Sequence, residues 1–261
     1  MGIINVTADS FYAGSRAADR ADIAARAAAM VADGADILDL GACSTRPGST
    51  EVPAAVELER IAEALSAVRE AVGPHVLVSV DTFRAEVARK AVGEWGADII
   101  NDISAGAIDH DMFDTVAELG CPYVLMHMRG TPATMQTMTD YDDVTADVIR
   151  ELSHPLAELR EAGVADIIID PGFGFAKTLE QNYELLRNLD AFSVLGCPVL
   201  AGMSRKSMLT RLLGISADEA CTATSVVNAF ALERGAAVLR VHDVREAVQT
   251  VRMYNALISG E

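Results

Sequence analysis

The chain has 261 residues, of which 51% are hydrophobic and only 5% aromatic, and its 21 basic and 38 acidic residues leave a net charge of −17. This charge repels nucleic acid and anionic membranes, so neither is expected as a partner. No run of about 18 apolar residues could span a bilayer, and four dispersed cysteines favour reduced cytoplasmic thiols over a disulfide framework or a zinc site.

Eight short apolar or β-branched runs are predicted as strands, at 2–6, 36–40, 76–80, 98–101, 123–126, 167–170, 199–201 and 238–241. Helical patterns separate them, among them 21–32, 54–72, 85–94, 144–161 and 182–189. Regular alternation of strand and helix is typical of a parallel sheet. Eight such units in a chain of this length predict a single-domain (β/α)8 TIM barrel over residues 1–261.

Polar side chains lie at the end of every predicted strand or just after it. In chain order they are Asn5, Thr7 and Asp9, then Asp39, Asp81, Asn101 and Asp102, then His127 and Asp170, then Ser204, Arg205 and Lys206, and finally Arg240 and His242. Asp39 and Asp102 could equally be caps of the following helices. In this fold the carboxyl ends of the strands form the mouth where ligands bind, so the set as a whole predicts a ligand site there.

The residue types in this set indicate the ligand. Four of them offer both hydrogen-bond donors and acceptors: Asp81, Asn101, Asp170 and Lys206. Such a set can bind the edge of a flat heterocycle that has amino, ring N–H and carbonyl groups. Positive charge suited to phosphate comes from Arg46, Arg240 and His242. Residues 204–207 are expected to open a helix whose free N–H groups favour an anion. The residues alone therefore predict a heterocycle with a diphosphate tail.

Eight segments resemble, in order, the motifs of the dihydropteroate synthase family: MGIINVTADSF, GACSTRPGS, SVDTFRAEVA, NDIS, MHMRGTP, DPGFGFAKTLEQNYELL, GMSRKS and RVHDV. The resemblance covers nearly the whole chain. It implies a transferase of folate biosynthesis, a target of sulfonamides, that joins (7,8-dihydropterin-6-yl)methyl diphosphate to 4-aminobenzoate, releasing 7,8-dihydropteroate and diphosphate. It further implies Mg2+ as cofactor and a homodimer formed by outer helices of the C-terminal half.

The resemblance also implies a role for each site residue. The pterin site would consist of Asp81, Asn101, Met126, Asp170, Gly202 and Lys206. The diphosphate would be bound by Asn5, Arg240 and His242, with Asn5 also binding the metal. The 4-aminobenzoate site would consist of Thr45, Arg46, Pro47, Phe175, Ser207 and Phe11. Catalysis would depend on Asp81, Asp9, Arg46 and Lys206, with Asp81 stabilising a pterin cation formed as diphosphate leaves.

The chain departs from the family pattern at Ala8, where a proline is usual, and at Ala42 and Cys43, where Gly-Glu is usual. The family's short N-terminal stretch before the first strand is also expected to be missing. Two other functions stay open. A pterin-binding methyltransferase would share the barrel, but STRPG, SRK and RVHDV argue against it because that activity needs no diphosphate site. A non-catalytic paralogue would keep the fold while losing turnover.

Overall fold

The computed structural model describes residues 1–6, 16–43 and 52–259. Eight parallel strands form one sheet in sequence order. They are β1 Gly2–Asn5, β2 Ile37–Gly41, β3 Leu77–Asp81, β4 Ile99–Asp102, β5 Tyr123–Met126, β6 Ile167–Asp170, β7 Val199–Ala201 and β8 Ala236–Leu239. Just beyond β8, Val241 forms a parallel bridge with Gly2 and accepts a 2.9 Å hydrogen bond from the N–H of Ile3. This bridge closes the sheet into a barrel.

The helices alternate with the strands. They are α1 Arg16–Ala32, α2 Ala54–Val72, α3 Ala85–Gly93, α4 Met112–Leu119, α5 Val144–Glu161, α6 Leu179–Arg187, α7 Ser207–Leu213, α8 Cys221–Glu233 and α9 Val244–Ser259. The longest of them, α2, covers the barrel through an apolar stripe at helical spacing. In α2 that stripe is Ile61, Leu65 and Val68, all inaccessible to solvent. None of the described helices is long and apolar enough to cross a membrane.

The predicted (β/α)8 barrel is confirmed, and all eight predicted strands are present. The clearest error in their bounds concerns the last strand, predicted at 238–241, because β8 begins two residues earlier, at Ala236. Arg240 and His242 therefore follow the strand rather than lie within it. The ladder nevertheless continues past Leu239, since the N–H of Arg240 donates to the carbonyl of Ala201 at 3.0 Å. The four cysteines are free thiols.

Strand alternation explains why the site lies at one end of the barrel. Successive side chains of a strand point to opposite faces, so residues two apart share the barrel interior. Apolar residues of one small cluster occupy the lower interior, namely Ile37, Ile99, Val124, Ile168, Leu200 and Val238. Two residues further along each chain segment stand Asp39, Asn101, Met126, Asp170, Gly202 and Arg240. The upper layer of the same interior is therefore mainly polar.

Candidate active site

Arg240 lies at the centre of the polar layer and bridges two carboxylates. Its guanidinium contacts Asp39 Oδ2 at 2.6–2.7 Å and Asp81 Oδ2 at 2.9 Å. The Asn101 amide is 3.3 Å from Asp39 Oδ2. These four side chains come from β2, β3, β4 and the segment after β8, so the closed barrel brings together residues that are up to 201 positions apart in the chain.

Burial sets the charge balance of this cluster. Asp39 is inaccessible to solvent and Asp81 is 8% exposed. Burial, with the nearby carboxylate of Asp39, raises the pKa of Asp81 above its ordinary value, and the Arg240 guanidinium opposes this shift. The two carboxylates in turn raise the already high pKa of Arg240, although burial acts the other way. Arg240 is thus held as a cation between two acids, with 17% of its side chain still exposed.

A second charged pair lies across the mouth. Gly202 lies between Asp170 and Lys206: a methyl group at its α-carbon would lie 3.7 Å from Asp170 Oδ2 and 3.8 Å from Lys206 Nζ. Burial lowers the pKa of Lys206 to about 8, whereas Asp170 raises it. Lys206 Nζ donates to the carbonyl of Phe173 at 2.6 Å. The absence of a side chain at Gly202 keeps open the space that Asp170 and Lys206 share.

The loop between β6 and α6, residues 171–178, forms one wall of the mouth. Gly172 has φ +73°, and a β-carbon there would lie 2.0 Å from the carbonyl oxygen of His127, which only glycine permits. The Gly172 N–H donates to Asp170 Oδ1 at 2.8 Å. At its far end the loop is fixed by a capping box between Thr178 and Gln181. The loop is therefore held at both ends.

An apolar wall faces the lysine. Met126, at the end of β5, packs in a small buried cluster with Phe83, Ile103, Met135, Phe175 and Ala176. The Phe175 ring lies 4.7 Å below Lys206 Nζ, a cation–π contact. Ser207 is exposed and is the first residue of α7, as the sequence predicts. An aromatic or heterocyclic ligand would find both a flat apolar face and charged groups here.

His242 and Asn5 lie elsewhere on the rim. Ser204 Oγ is 3.0 Å from His242 Nδ1 and accepts from the His242 N–H at 3.1 Å. The contact with Ser204 orients the imidazole, whose ring N–H can donate to an anion. Asn5, the exposed last residue of β1, has its side-chain oxygen close to Gly41, which also borders Asp81.

Asp102 and Asp39, which the sequence leaves open as possible helix caps, have different roles. Asp102 is inaccessible to solvent and accepts hydrogen bonds from Ser104, Gly106 and Tyr123 at 2.6–2.9 Å, so it shapes the loop after β4. By contrast, Asp39 is part of the charged cluster rather than a helix cap. Its position in the interior register of β2, two residues after Ile37, is the sequence signal for this role.

Several sequence-predicted residues lie outside the described part of the chain. They are Asp9 and Phe11 before α1, and Thr45, Arg46 and Pro47 before α2. Their roles stay predictions. Among the described residues, the structure brings together those predicted for the pterin, and it places Phe175 next to them.

Comparison with known proteins identifies the family. The model of the family described as "Pterin binding enzyme" matches residues 1–242. The dihydropteroate synthase of Escherichia coli K12 is 41% identical over 100% of this chain and 92% of that protein. This chain belongs to the dihydropteroate synthase family. A probable bifunctional folylpolyglutamate synthase/dihydropteroate synthase of Haloferax volcanii is 43% identical over 97% of the chain, which spans 30% of that longer protein.

Solved structures of dihydropteroate synthases share the fold. The Yersinia pestis enzyme, in a complex with a sulfonamide drug, has a TM-score of 0.92 and 37% identity over 99% of this chain and 94% of its own. The Xanthomonas albilineans enzyme with 4-aminobenzoic acid has a TM-score of 0.90 and 38% identity, with 99% and 92% covered. The same enzyme with 7,8-dihydropteroate has a TM-score of 0.87 and 36% identity, with 99% and 93% covered.

Proposed function

We propose that the chain catalyses the dihydropteroate synthase reaction, condensing (7,8-dihydropterin-6-yl)methyl diphosphate with 4-aminobenzoate to give 7,8-dihydropteroate and diphosphate. The observation that carries the proposal is the polar layer inside the barrel. Asp81, Asn101, Asp170 and Lys206 all lie in it or border it, around an opening lined by Gly202 and Met126. This is the donor and acceptor set that the edge of a pterin requires.

The residues divide the chemistry between them. Asp170 and Asn101 accept from and donate to the pterin ring, and Lys206 donates to its carbonyl oxygen. The ionised form of Asp81, paired with Arg240, places a negative charge close to where positive charge develops on the pterin as the diphosphate leaves. Arg240 and His242 supply the positive groups that stabilise the departing anion. The amine of 4-aminobenzoate needs no strong base, because an aniline nitrogen is almost unprotonated at neutral pH.

Mg2+ is proposed as the cofactor, and the residues of the rim fit it. Mg2+ prefers oxygen ligands and is usually held by one or two protein groups together with substrate phosphates and water. Asn5 supplies an amide oxygen at the end of β1, and Asp81 lies on the other side of Gly41. When bound, the ion would neutralise charge on the diphosphate. Asn5 would hold it, while Arg240 and His242 orient the diphosphate.

A turnover assay tests the function and separates it from the two alternatives. The purified chain is incubated with the pterin diphosphate, 4-aminobenzoate and Mg2+, and dihydropteroate and diphosphate are quantified. We expect stoichiometric formation of both products. The Lys206→Ala variant should lose most of this activity, whereas Lys90→Ala, on α3, should retain it. A non-catalytic paralogue would bind a pterin without turnover, and a methyltransferase would transfer a methyl group but release no diphosphate.

We further propose that the chain acts as a homodimer in the cytoplasm. The support for a dimer is an apolar surface on the C-terminal helices, where α8 and α9 pack side by side. Leu212 on α7, Phe230 on α8 and Met253 on α9 are between 57% and 75% exposed. Exposed apolar surface of this kind marks interfaces in soluble proteins. The free state of all four thiols agrees with a reducing compartment.

A further inference from the structure

Lys177, one of only three lysines in the chain, is buried in the loop between β6 and α6 and is 5% exposed. Its Nζ lies 3.0 Å from His127 Nδ1, 3.0 Å from the carbonyl oxygen of Gly172 and 3.1 Å from that of Phe175. An ammonium group has three protons, and here each has an acceptor. Lys177 therefore has no donor left for a substrate, and its role must lie in what it holds.

His127 extends the contact to the outer helix α5. Because Lys177 donates to Nδ1, the ring proton is on Nε2, which lies 2.9 Å from Glu151 Oε2. Burial and the positive charge of Lys177 lower the pKa of His127 to about 4, so the ring is neutral. Glu151 is also bound by Arg129 at 3.0 Å, and the Arg129 guanidinium lies over the Tyr141 ring. Lys177 and Glu151 are thus joined through the neutral imidazole of His127.

Two lysines, Lys177 within the loop and Lys206 outside it, bind the backbone carbonyls of the loop. The carbonyls of Gly172 and Phe175 point to Lys177, and the carbonyl of Phe173 accepts from Lys206 at 2.6 Å. The Phe175 ring then lies beneath Lys206 Nζ. Without Lys177 the carbonyl of Phe175 would lose this donor and that of Gly172 would keep only the N–H of Phe175, so the segment that carries the Phe175 ring would be held less firmly.

We propose that Lys177, braced by the chain Lys177–His127–Glu151, is a positioning residue that fixes Phe175 for the binding of 4-aminobenzoate. The proposal rests on the proposed function. It predicts an unequal effect on the two substrates. Asp81, Asn101 and Met126 stand on strands and hold the pterin without the loop, whereas the wall formed by Phe175 depends on the loop. Lys177 therefore acts on the second substrate more than on the first.

The first test compares Lys177→Met with wild type and with Lys90→Met, the matched control on α3. Methionine keeps the length of the chain but removes the three donors. We expect the KM for 4-aminobenzoate to rise about tenfold or more, while kcat and the KM for the pterin diphosphate change by less than about threefold. Lys90→Met should leave all three constants unchanged. A folded Lys177→Met enzyme with equal changes in both KM values, or with none, would overturn the proposal.

A second test needs no turnover, so it separates failure of this inference from failure of the proposed function. Nitrogen-15 NMR of the His127 ring reports its tautomer. We expect the neutral Nε2–H form in the wild type, and in Lys177→Met a ring that titrates at higher pH. The charged groups facing that ring are Lys177, Glu151 and Arg129, and removing Lys177 leaves the carboxylate closest. A wild-type ring protonated on Nδ1 would contradict the contact. If Lys177→Met does not fold, Lys177→Gln takes its place, with the same expected directions.

Discussion

At the scale of single residues, the two cations proposed for the diphosphate have different surroundings. Arg240 is tied to two buried carboxylates, whereas His242 contacts a serine hydroxyl. Removing a partner from a buried ion pair leaves an unpaired charge, which typically costs about 3–5 kcal/mol. Arg240 thus supports the site as well as its ligand.

This difference predicts separate outcomes for the two alanine variants. His242→Ala should weaken the binding of diphosphate while leaving the binding of a bare pterin within about twofold. Arg240→Ala should weaken both ligands and lower the free energy of unfolding, because Asp39 and Asp81 lose their common partner. Calorimetry with each ligand, together with urea unfolding, measures these effects. Equal losses for the two ligands in His242→Ala would contradict the assignment of His242 to the diphosphate.

Asp81→Asn tests the charge near the reacting carbon. The amide keeps the shape and one acceptor, so the pterin should still bind, but the negative charge opposite the developing cation is lost. Loss of one such interaction in a water-excluded site raises the barrier by roughly 2–4 kcal/mol, or about two to three decades in kcat. Steady-state rates and pterin titration measure the two effects separately. Turnover within about twofold of wild type would mean that Asp81 stabilises no cation.

At the scale of elements, the loop after β6 depends on a close backbone contact. Gly172 and Gly73 share a φ of +73°, but a β-carbon at Gly172 would lie 2.0 Å from the His127 carbonyl oxygen, whereas at Gly73 nothing lies within 4 Å. Gly73→Ala should cost only the strain of its backbone conformation (φ +73°, ψ −170°), about 1–3 kcal/mol. Gly172→Ala should cost more and abolish 4-aminobenzoate binding. Thermal unfolding of the two variants measures the difference, and equal midpoints would refute the contact.

His127 joins β5 to α5 and gives stability a pH dependence. Its pKa is lowered from 6.5 to about 4 in the folded protein, so its contribution is complete above pH 6.5 and is lost as the pH falls towards 4. The loss should total about 3 kcal/mol. The raised pKa of Asp81 makes stability rise, not fall, as the pH is lowered over the same range. The effect of His127 is therefore isolated by comparing the free energy of unfolding in urea of wild type and His127→Gln at pH 7 and at pH 5. A constant difference would contradict the prediction.

The sequence predicts elements better than it predicts partners. Alternation of apolar runs with helical patterns gives the barrel, and the strand ends give Asp81, Asn101 and Asp170. The pairing of Arg240 with Asp39 depends on closure of the barrel between residues 201 positions apart, which no local pattern indicates. Lys177 is missed for the same reason, because its partner His127, just after β5, lies 50 positions earlier in the chain. The start of β8 is missed because Ala236 and Ala237 give no β-branched signal, although Ala236 pairs with Val199 just before a register shift.

At the scale of the whole molecule, the proposed dimer predicts a sensitive position on α8. Phe230 is 60% exposed, and Phe230→Asp would place a charge in an apolar interface. We expect sedimentation to show dimers for wild type and monomers for Phe230→Asp. Met138→Asp serves as the control, since Met138 is 41% exposed in the loop after β5. A wild type that is monomeric at all concentrations, or a variant that dimerises equally well, would refute this interface.

The ion pairs of Arg240 also bear on how this enzyme can change over evolutionary time. Asp81 has Arg240 as a structural partner in addition to its proposed role at the pterin, so a substitution there disturbs folding and catalysis together. Residues of surface loops escape this double constraint and tolerate replacement more readily. Mutations that lower the affinity for an inhibitor while sparing the natural substrates should therefore accumulate in the loops. An inhibitor confined to the polar layer inside the barrel would leave far fewer viable escape mutations.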